Sequence, residues 1–428
     1  MQMSKHSNRL MVLVAAVLSL AATRAGAQMQ WSGDFMTRNY WESFSDDRDN
    51  RENLEYMRFM GQLTALAPFG RNGKFRTDLV TIGDNPVYPS RSLGGLGAIR
   101  FGISQIYGEF TQPEFLVFDM ARFRFGRQHY ELGNGLTLGE SYYQVDDYDG
   151  IRVDFARDSW TFGLFGAVTE QALTPEGFVP EPLSDQLYVA QAQYELPKHT
   201  LLAYTVYEKK RGDFNDNIIV GAGSSGSIVL EKLQYFAEIA QQSFNTPTGT
   251  PDKGGIAYMA GVSYSWSMPH VRSAKAEIRT AAYQGDDAMT TDEEIFSPFY
   301  PSWWWGDRTG YANGSVGGDY PNHDKQVEGS RVWYGRVYVS PTFLPKARVQ
   351  LQYVTVGDYV NNDNYTEPDD EFGVKVYYQV NDNVRIQGRY LRRLPNGADF
   401  DQNGDGNISE IEDKVTADRL MFEFRVQF

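Results

Sequence analysis

Leu420-Met421-Phe422-Glu423-Phe424-Arg425-Val426-Gln427-Phe428 decides how this chain is read. Leu420, Phe422, Phe424, Val426 and Phe428 alternate with Met421, Glu423, Arg425 and Gln427. A period of two places the first set on one face of a strand and the second on the other. One face is greasy and the other is wet. The pattern recurs upstream: Tyr258, Ala260, Val262, Tyr264 and Trp266 share a face, and so do Phe372, Val374, Val376, Tyr378 and Val380. In water such a face demands a partner sheet. In lipid it needs none, and closing the sheet on itself pairs every backbone N–H and C=O.

The final strand resembles the last strand of bacterial outer-membrane barrels. That resemblance implies that Phe428 belongs to the signal read by the barrel-assembly machinery. The N-terminus agrees with export. Lys5 and Arg9 precede a short apolar run, Leu10 to Ala22, and Ala25-Gly26-Ala27 fits a small-x-small cleavage site. A signal peptide is expected over 1–27 and an all-β transmembrane antiparallel barrel over 28–428. No later apolar run approaches the roughly eighteen residues of a membrane helix. The chain is nevertheless 14% aromatic with 27 tyrosines, which suits strands with one lipid face and one wet face.

Composition narrows the chemistry. Cysteine is absent, which excludes disulfides, thiolate metal sites and a thiol nucleophile. The five histidines show no ligand spacing. The net charge of −15 makes nucleic acid a poor partner. His129 and His323 fall in long connections, but no serine motif accompanies them, so an enzyme is not expected.

The alternation parses into about eighteen strands of spanning length. Short connections are expected at Phe69–Gly73, Thr111–Glu114, Ala156–Ser159, Pro197–His199, Val229–Lys232, Ser267–Ala274, Pro341–Pro345 and Asn381–Asn383. Long ones, expected on the outer side, include Asp84–Gly95, His129–Ser141, Gly285–Ser330, Gly357–Asp370 and Leu394–Thr416. The strand near Asn217–Ile228 is glycine-rich and weakly patterned.

Charge sorts by position. The long connections are acidic, with Asp286, Asp287, Asp292, Glu293 and Glu294 in one and Asp363, Glu367, Asp369 and Asp370 in another. Parity places Arg58, Arg76, Arg100, Arg122, Arg124, Arg152, Arg279, Arg336, Arg348, Lys375, Arg385, Arg389 and Arg425 on the inward face, beside Asp78, Asp154, Glu277 and Glu423. Two readings stand together. One is a salt-bridged wall that rigidifies the barrel. The other is an arginine-lined pore for anions or acidic sugars.

Residues Phe123 to Phe155 read FRFGRQHYELGNGLTLGESYYQVDDYDGIRVDF. A strand ends in Gly126-Arg127-Gln128, a Gly/Asn-containing loop follows, and the next strand opens with Asp149-Gly150-Ile151-Arg152. This resembles the alginate-export family of outer-membrane porins. The resemblance implies an eighteen-stranded monomeric barrel with a narrow electropositive conduit for a polyanionic polysaccharide, and it makes Arg124 and Arg152 wall residues near the constriction. Simple alternation points Arg127 outward, so either a bulge re-aims it or it sits at the rim.

Residues 401–412 read DQNGDGNISEIE. Asp401, Asn403, Asp405, Asn407, Ser409 and Glu412 occupy the six ligand positions of an EF-hand-type loop, with Gly406 at the sharp turn. Asp413 replaces the usual apolar residue, and the flanks lack two amphipathic helices. The expectation is a structural calcium loop between the last two strands, set against the plainer reading of an acidic, glycine-rich loop. Trp303-Trp304-Trp305, in the longest connection, either stack on sugars, plug the lumen, or pack the loop on itself or the membrane interface.

Two functions compete on these features. The first is a channel for anionic solutes or acidic polysaccharide. The second is an occluded structural or surface-binding barrel whose acidic, calcium-stabilised loops meet lipopolysaccharide or another surface partner.

Overall fold

The computed structural model describes residues 29–45, 54–86, 100–138, 148–169, 185–209, 216–229, 231–245, 254–284, 296, 330–358, 369–394 and 416–428. The expected signal peptide, the calcium-type loop and the tryptophan cluster lie outside the described residues.

Eighteen strands form one antiparallel sheet in which every strand pairs with its neighbours in sequence. They are β1 Gln30–Ser45, β2 Leu54–Phe69, β3 Gly73–Pro86, β4 Arg100–Phe115, β5 Phe118–Gln128 and β6 Tyr148–Arg157. Next come β7 Trp160–Thr169, β8 Asp185–Glu195, β9 His199–Lys209, β10 Asp216–Val229, β11 Leu233–Asn245 and β12 Ile256–Met268. The last six are β13 Val271–Tyr283, β14 Ser330–Pro341, β15 Ala347–Asp358, β16 Asp369–Gln379, β17 Val384–Leu394 and β18 Thr416–Gln427.

The alternating C-terminal stretch closes the barrel. β18 pairs with β1 from Asp34 opposite Gln427 to Ser45 opposite Thr416. Phe428 extends this seam, exchanging backbone hydrogen bonds with Gly33 at 2.8 and 3.0 Å. No strand edge is left, which is the condition for sheet backbone in lipid. Phe422, Phe424 and Leu420 are 44%, 38% and 52% exposed, while Glu423 and Met421 are buried. Exposure of the apolar set inverts the arrangement of a water-soluble protein. Trp31, Phe125, Ile151, Leu164, Ile239, Val262, Ile278, Trp333 and Phe372 continue this outer belt around the barrel, where lipid rather than water is the natural solvent.

The connections after even-numbered strands are short and those after odd-numbered strands are long, so the turns and both ends of the sheet share one rim. One expected turn is displaced. Thr111–Glu114 lies inside β4, and the chain reverses at Leu116 and Val117. The Pro113 that suggested a turn is tolerated because β3 begins only at Gly73, opposite Phe110. The Thr111 N–H still reaches the Asn72 carbonyl at 2.9 Å, but beyond it β4 pairs with β5 alone, so the missing N–H costs no ladder bond. Asp369 and Asp370 likewise open β16 rather than ending a loop. β10, despite its glycines, is a full strand paired with both β9 and β11.

Candidate functional site

The inward face divides into two unlike halves, and the sequence motif around Gly126 governs the boundary. Gly126 lies opposite Gly150 on β6 and has a φ of 120°. A Cβ there would stand 2.3 Å from the Ile106 carbonyl oxygen. Only glycine fits such a conformation beside neighbouring backbone. The buried Gln128 side chain donates Nε2–H to the carbonyls of Gly126 and Gly150 at 3.3 and 3.1 Å. Gly126→Val is expected to cost about 1–3 kcal/mol from backbone strain alone, measured as a lower urea midpoint of the detergent-solubilised barrel. An unchanged midpoint would contradict this account.

Past this point the chain turns into the lumen. Residues 129–138 were expected in an outer loop, and the structure corrects that. Leu132 and Leu138 bond through backbone at 3.0 Å, Gly135 donates to the Leu132 carbonyl at 2.9 Å, and Gly133 and Gly135 both take positive φ. The resulting tight turn buries Tyr130, Leu132, Leu136 and Leu138 against Phe165, Leu187, Val189, Val206, Ile219 and Met259. Those wall residues point inward yet are apolar. The folded-in segment explains them, because it gives them something other than water to face.

Glu238 of β11 holds the tip of the turn. Its Oε2 accepts the Asn134 backbone N–H at 2.7 Å and the Asn134 side-chain amide at 3.2 Å. Its Oε1 accepts the Tyr204 hydroxyl at 2.8 Å. Any side chain at Gly133 would strike Glu238, since a Cβ there would lie 2.6 Å from Oε2. Tyr130 stacks on Phe165 with ring centroids 4.3 Å apart. Burial pushes its phenol well above the ordinary tyrosine range, so it remains neutral. Phe296, from the β13–β14 connection, adds to the same cluster beside Tyr283.

The other half of the wall is cationic. Arg76, Arg122, Arg124, Arg152, Arg279, Arg336, Arg348, Lys375, Arg385, Arg389 and Arg425 hold inward register positions. The side chains of Arg58 and Arg100 lie outside the described residues. Many cations share carboxylates. Arg124 and Lys74 meet on Glu109 at 2.6 and 2.7 Å. Arg152 pairs with Asp154 and Arg76 with Asp78, both at 2.9 Å. Glu277 receives Arg336 at 3.0 Å, Lys275 at 3.4 Å and also Arg279. Glu423 receives Arg38 at 2.7 Å and Arg385 at 3.0 Å, and Arg425 pairs with Asp34. Among the described residues, Arg122 and Arg348 have no carboxylate within ion-pair distance, and Arg348 stacks on the Tyr338 ring at 3.9 Å.

The wall is therefore salt-bridged and positive at once. A carboxylate shared by two or three cations leaves an excess of positive charge at its own position. Tyrosines line the same face: Arg336 lies over Tyr334 and Tyr338, and Arg385 over Tyr377. Arg127 is not part of this wall. It pairs sideways with Asp149 at 2.8 Å on the face shared with Phe125 and Ile151, near the loop-side rim. Arg38, Lys74, Lys275 and Arg419 also line the wall by register. Strand parity could have found them. Glu238, whose partners come from strands and a turn far apart in sequence, had no such signal.

Searches by sequence find no matching family model and no matching curated protein. Solved structures do match. OccK9 (OpdG) of Pseudomonas aeruginosa superposes with a TM-score of 0.56 at 11% identity, covering 94% of this chain and 99% of that one. The outer membrane protein opdK of Pseudomonas aeruginosa gives 0.52 at 10% identity, over 93% and 99% of the two chains. OccAB4 of Acinetobacter baumannii gives 0.53 at 11% identity, over 93% and 98%. The chain has the fold of an outer-membrane porin. At these identities the likeness concerns the barrel fold and its whole-chain extent.

Proposed function

We propose that the chain forms a channel of the Gram-negative outer membrane that favours anionic solutes, with acidic polysaccharide of the alginate type as the finer reading. The observation that carries it is the β13–β18 wall, where Glu277 is shared by three cations and Glu423 by two. Fixed positive charge along a wet passage lowers the energy of a passing anion and raises that of a cation. The arginines also present planar forks suited to carboxylates. The test is the reversal potential of the barrel in a planar bilayer under a salt gradient. An anion preference is expected. Cation preference would overturn the reading.

One observation favours a second reading. The segment 129–138 and Phe296 occupy one side of the lumen, as they would in an occluded barrel that binds lipopolysaccharide or a surface partner. That reading expects no steady conductance. Under either, the chain acts as a monomer inserted by the barrel-assembly machinery.

Residues 401–412 are proposed to bind calcium through Asp401, Asn403, Asp405, Asn407, Ser409 and Glu412. All six supply hard oxygen ligands, and Glu412 can bind through both oxygens. Affinity in the extracellular range, roughly 10⁻⁴–10⁻³ M, is expected. Calorimetric titration of the full barrel with Ca²⁺ should show one site that Glu412→Gln removes. Heat unchanged by that substitution would sink the assignment.

A further inference from the structure

A cavity of ≈ 610 Å³ opens on the inner wall beside the turns that join β10 to β11, β12 to β13 and β14 to β15. Lys232, Arg272, Lys275 and Arg348 line it, with Tyr338 and several serine hydroxyls. Lys275 lies 3.4 Å from Glu277, which Arg336 and Arg279 already neutralise. Among the described residues, Lys232, Arg272 and Arg348 have no carboxylate within ion-pair distance. The volume falls in the range of small-molecule sites, roughly 300–1,000 Å³.

The placement of Arg272 is specific. The β13–β14 register slips between Val271 and Ser273, leaving Arg272 as the extra residue of a bulge. The β12–β13 register slips at the same level, between Trp266 and Met268. A bulge bends its strand and re-aims a side chain that strict alternation would send to the other face. Here it adds Arg272 to a face that already carries Lys275 and Arg348. Two arginine forks, two ammonium groups, a phenol and serine hydroxyls converge on one side of the short-turn mouth. A single small anion could satisfy only part of that set.

We propose that this cavity is a docking site for an acidic oligosaccharide or another solute bearing two or more carboxylates, which it captures at the short-turn mouth before the passage. The proposal rests on the anion-channel reading and adds the place and side of capture. Arg272 and Lys232 supply charge at the mouth and take no part in the wall at Glu277 and Glu423, so replacing both probes docking while the ion pairs of that wall stay in place.

The chain has no cysteine, so Asp382→Cys in the β16–β17 turn provides a unique handle. Biotinylating it and adding streptavidin to one compartment identifies the short-turn side in a bilayer. Trigalacturonate, with maltotriose as the neutral control, is then added to each side, and its binding to the detergent-solubilised barrel is measured by calorimetry at low salt. The expected result is stronger block from the short-turn side, and roughly tenfold weaker block and binding in R272A/K232A, the loss of two charge-assisted contacts. Maltotriose should do nothing. A conducting barrel whose block and binding are the same in the variant overturns the docking site and leaves the channel standing. A silent barrel that binds trigalacturonate and loses it in the variant overturns the channel and keeps the site. No binding in either state removes the site altogether.

Discussion

Replacing Arg279 and Arg336 together with glutamine is expected to reduce the anion preference of the barrel about tenfold. Both arginines meet on Glu277. Lys275 remains beside that carboxylate at 3.4 Å, so the double variant removes two positive charges without stranding an acid. A unit charge about 5 Å from a permeating ion in water is worth roughly 0.8 kcal/mol, about fourfold in partition. Two such charges give the tenfold change after screening. The opposite change has the opposite sign. Glu277→Gln leaves three cations facing one another, so anion preference should rise while stability falls by about 1–3 kcal/mol, a discounted value because the cations are partly exposed. Reversal potentials and urea midpoints measure both. Equal selectivity in wild type and both variants would remove the wall from any account of permeation.

Replacing residues 131–137 with a short Gly-Ser link is expected to raise single-channel conductance several-fold. The turn they form stands inside the lumen, clamped on Glu238, so its removal widens the passage on that side. The change also uncovers Phe165, Val189, Val206 and Ile219, which are almost wholly buried. Burying such a side chain is worth about 1.5–3 kcal/mol, so the widened barrel should melt at a distinctly lower temperature. Glu238→Ala releases the clamp without removing the plug, and should increase current noise more than mean current. Conductance unchanged by the replacement would mean that the segment stands clear of the ion path.

Much of this protein is legible in its amino-acid sequence. Strict alternation in β12, β16 and β18 declares one lipid face and one wet face, and the rhythm of short and long connections sets the strand number. The same parity sorts the arginines, because a period of two has only two outcomes once one face is known. Local chemistry misleads where it depends on neighbours. Pro113 resembles a turn residue because sequence does not show that β3 begins only at Gly73, opposite Phe110.

The lumen is another matter. Leu187, Val189, Val206 and Ile219 read as ordinary strand residues, and Tyr130 to Leu138 read as one more outer loop. Their packing on each other depends on residues brought together by closure of the whole sheet, and so does the clamp between Asn134 and Glu238, which are 104 positions apart. The sequence by itself determined the barrel, its outer face and which face its arginines share with the acids, since those follow from periodicity along single strands. Only the tertiary structure decided what stands inside the barrel and which carboxylates are shared by which cations, since those contacts cross strands whose register and distance no local pattern encodes.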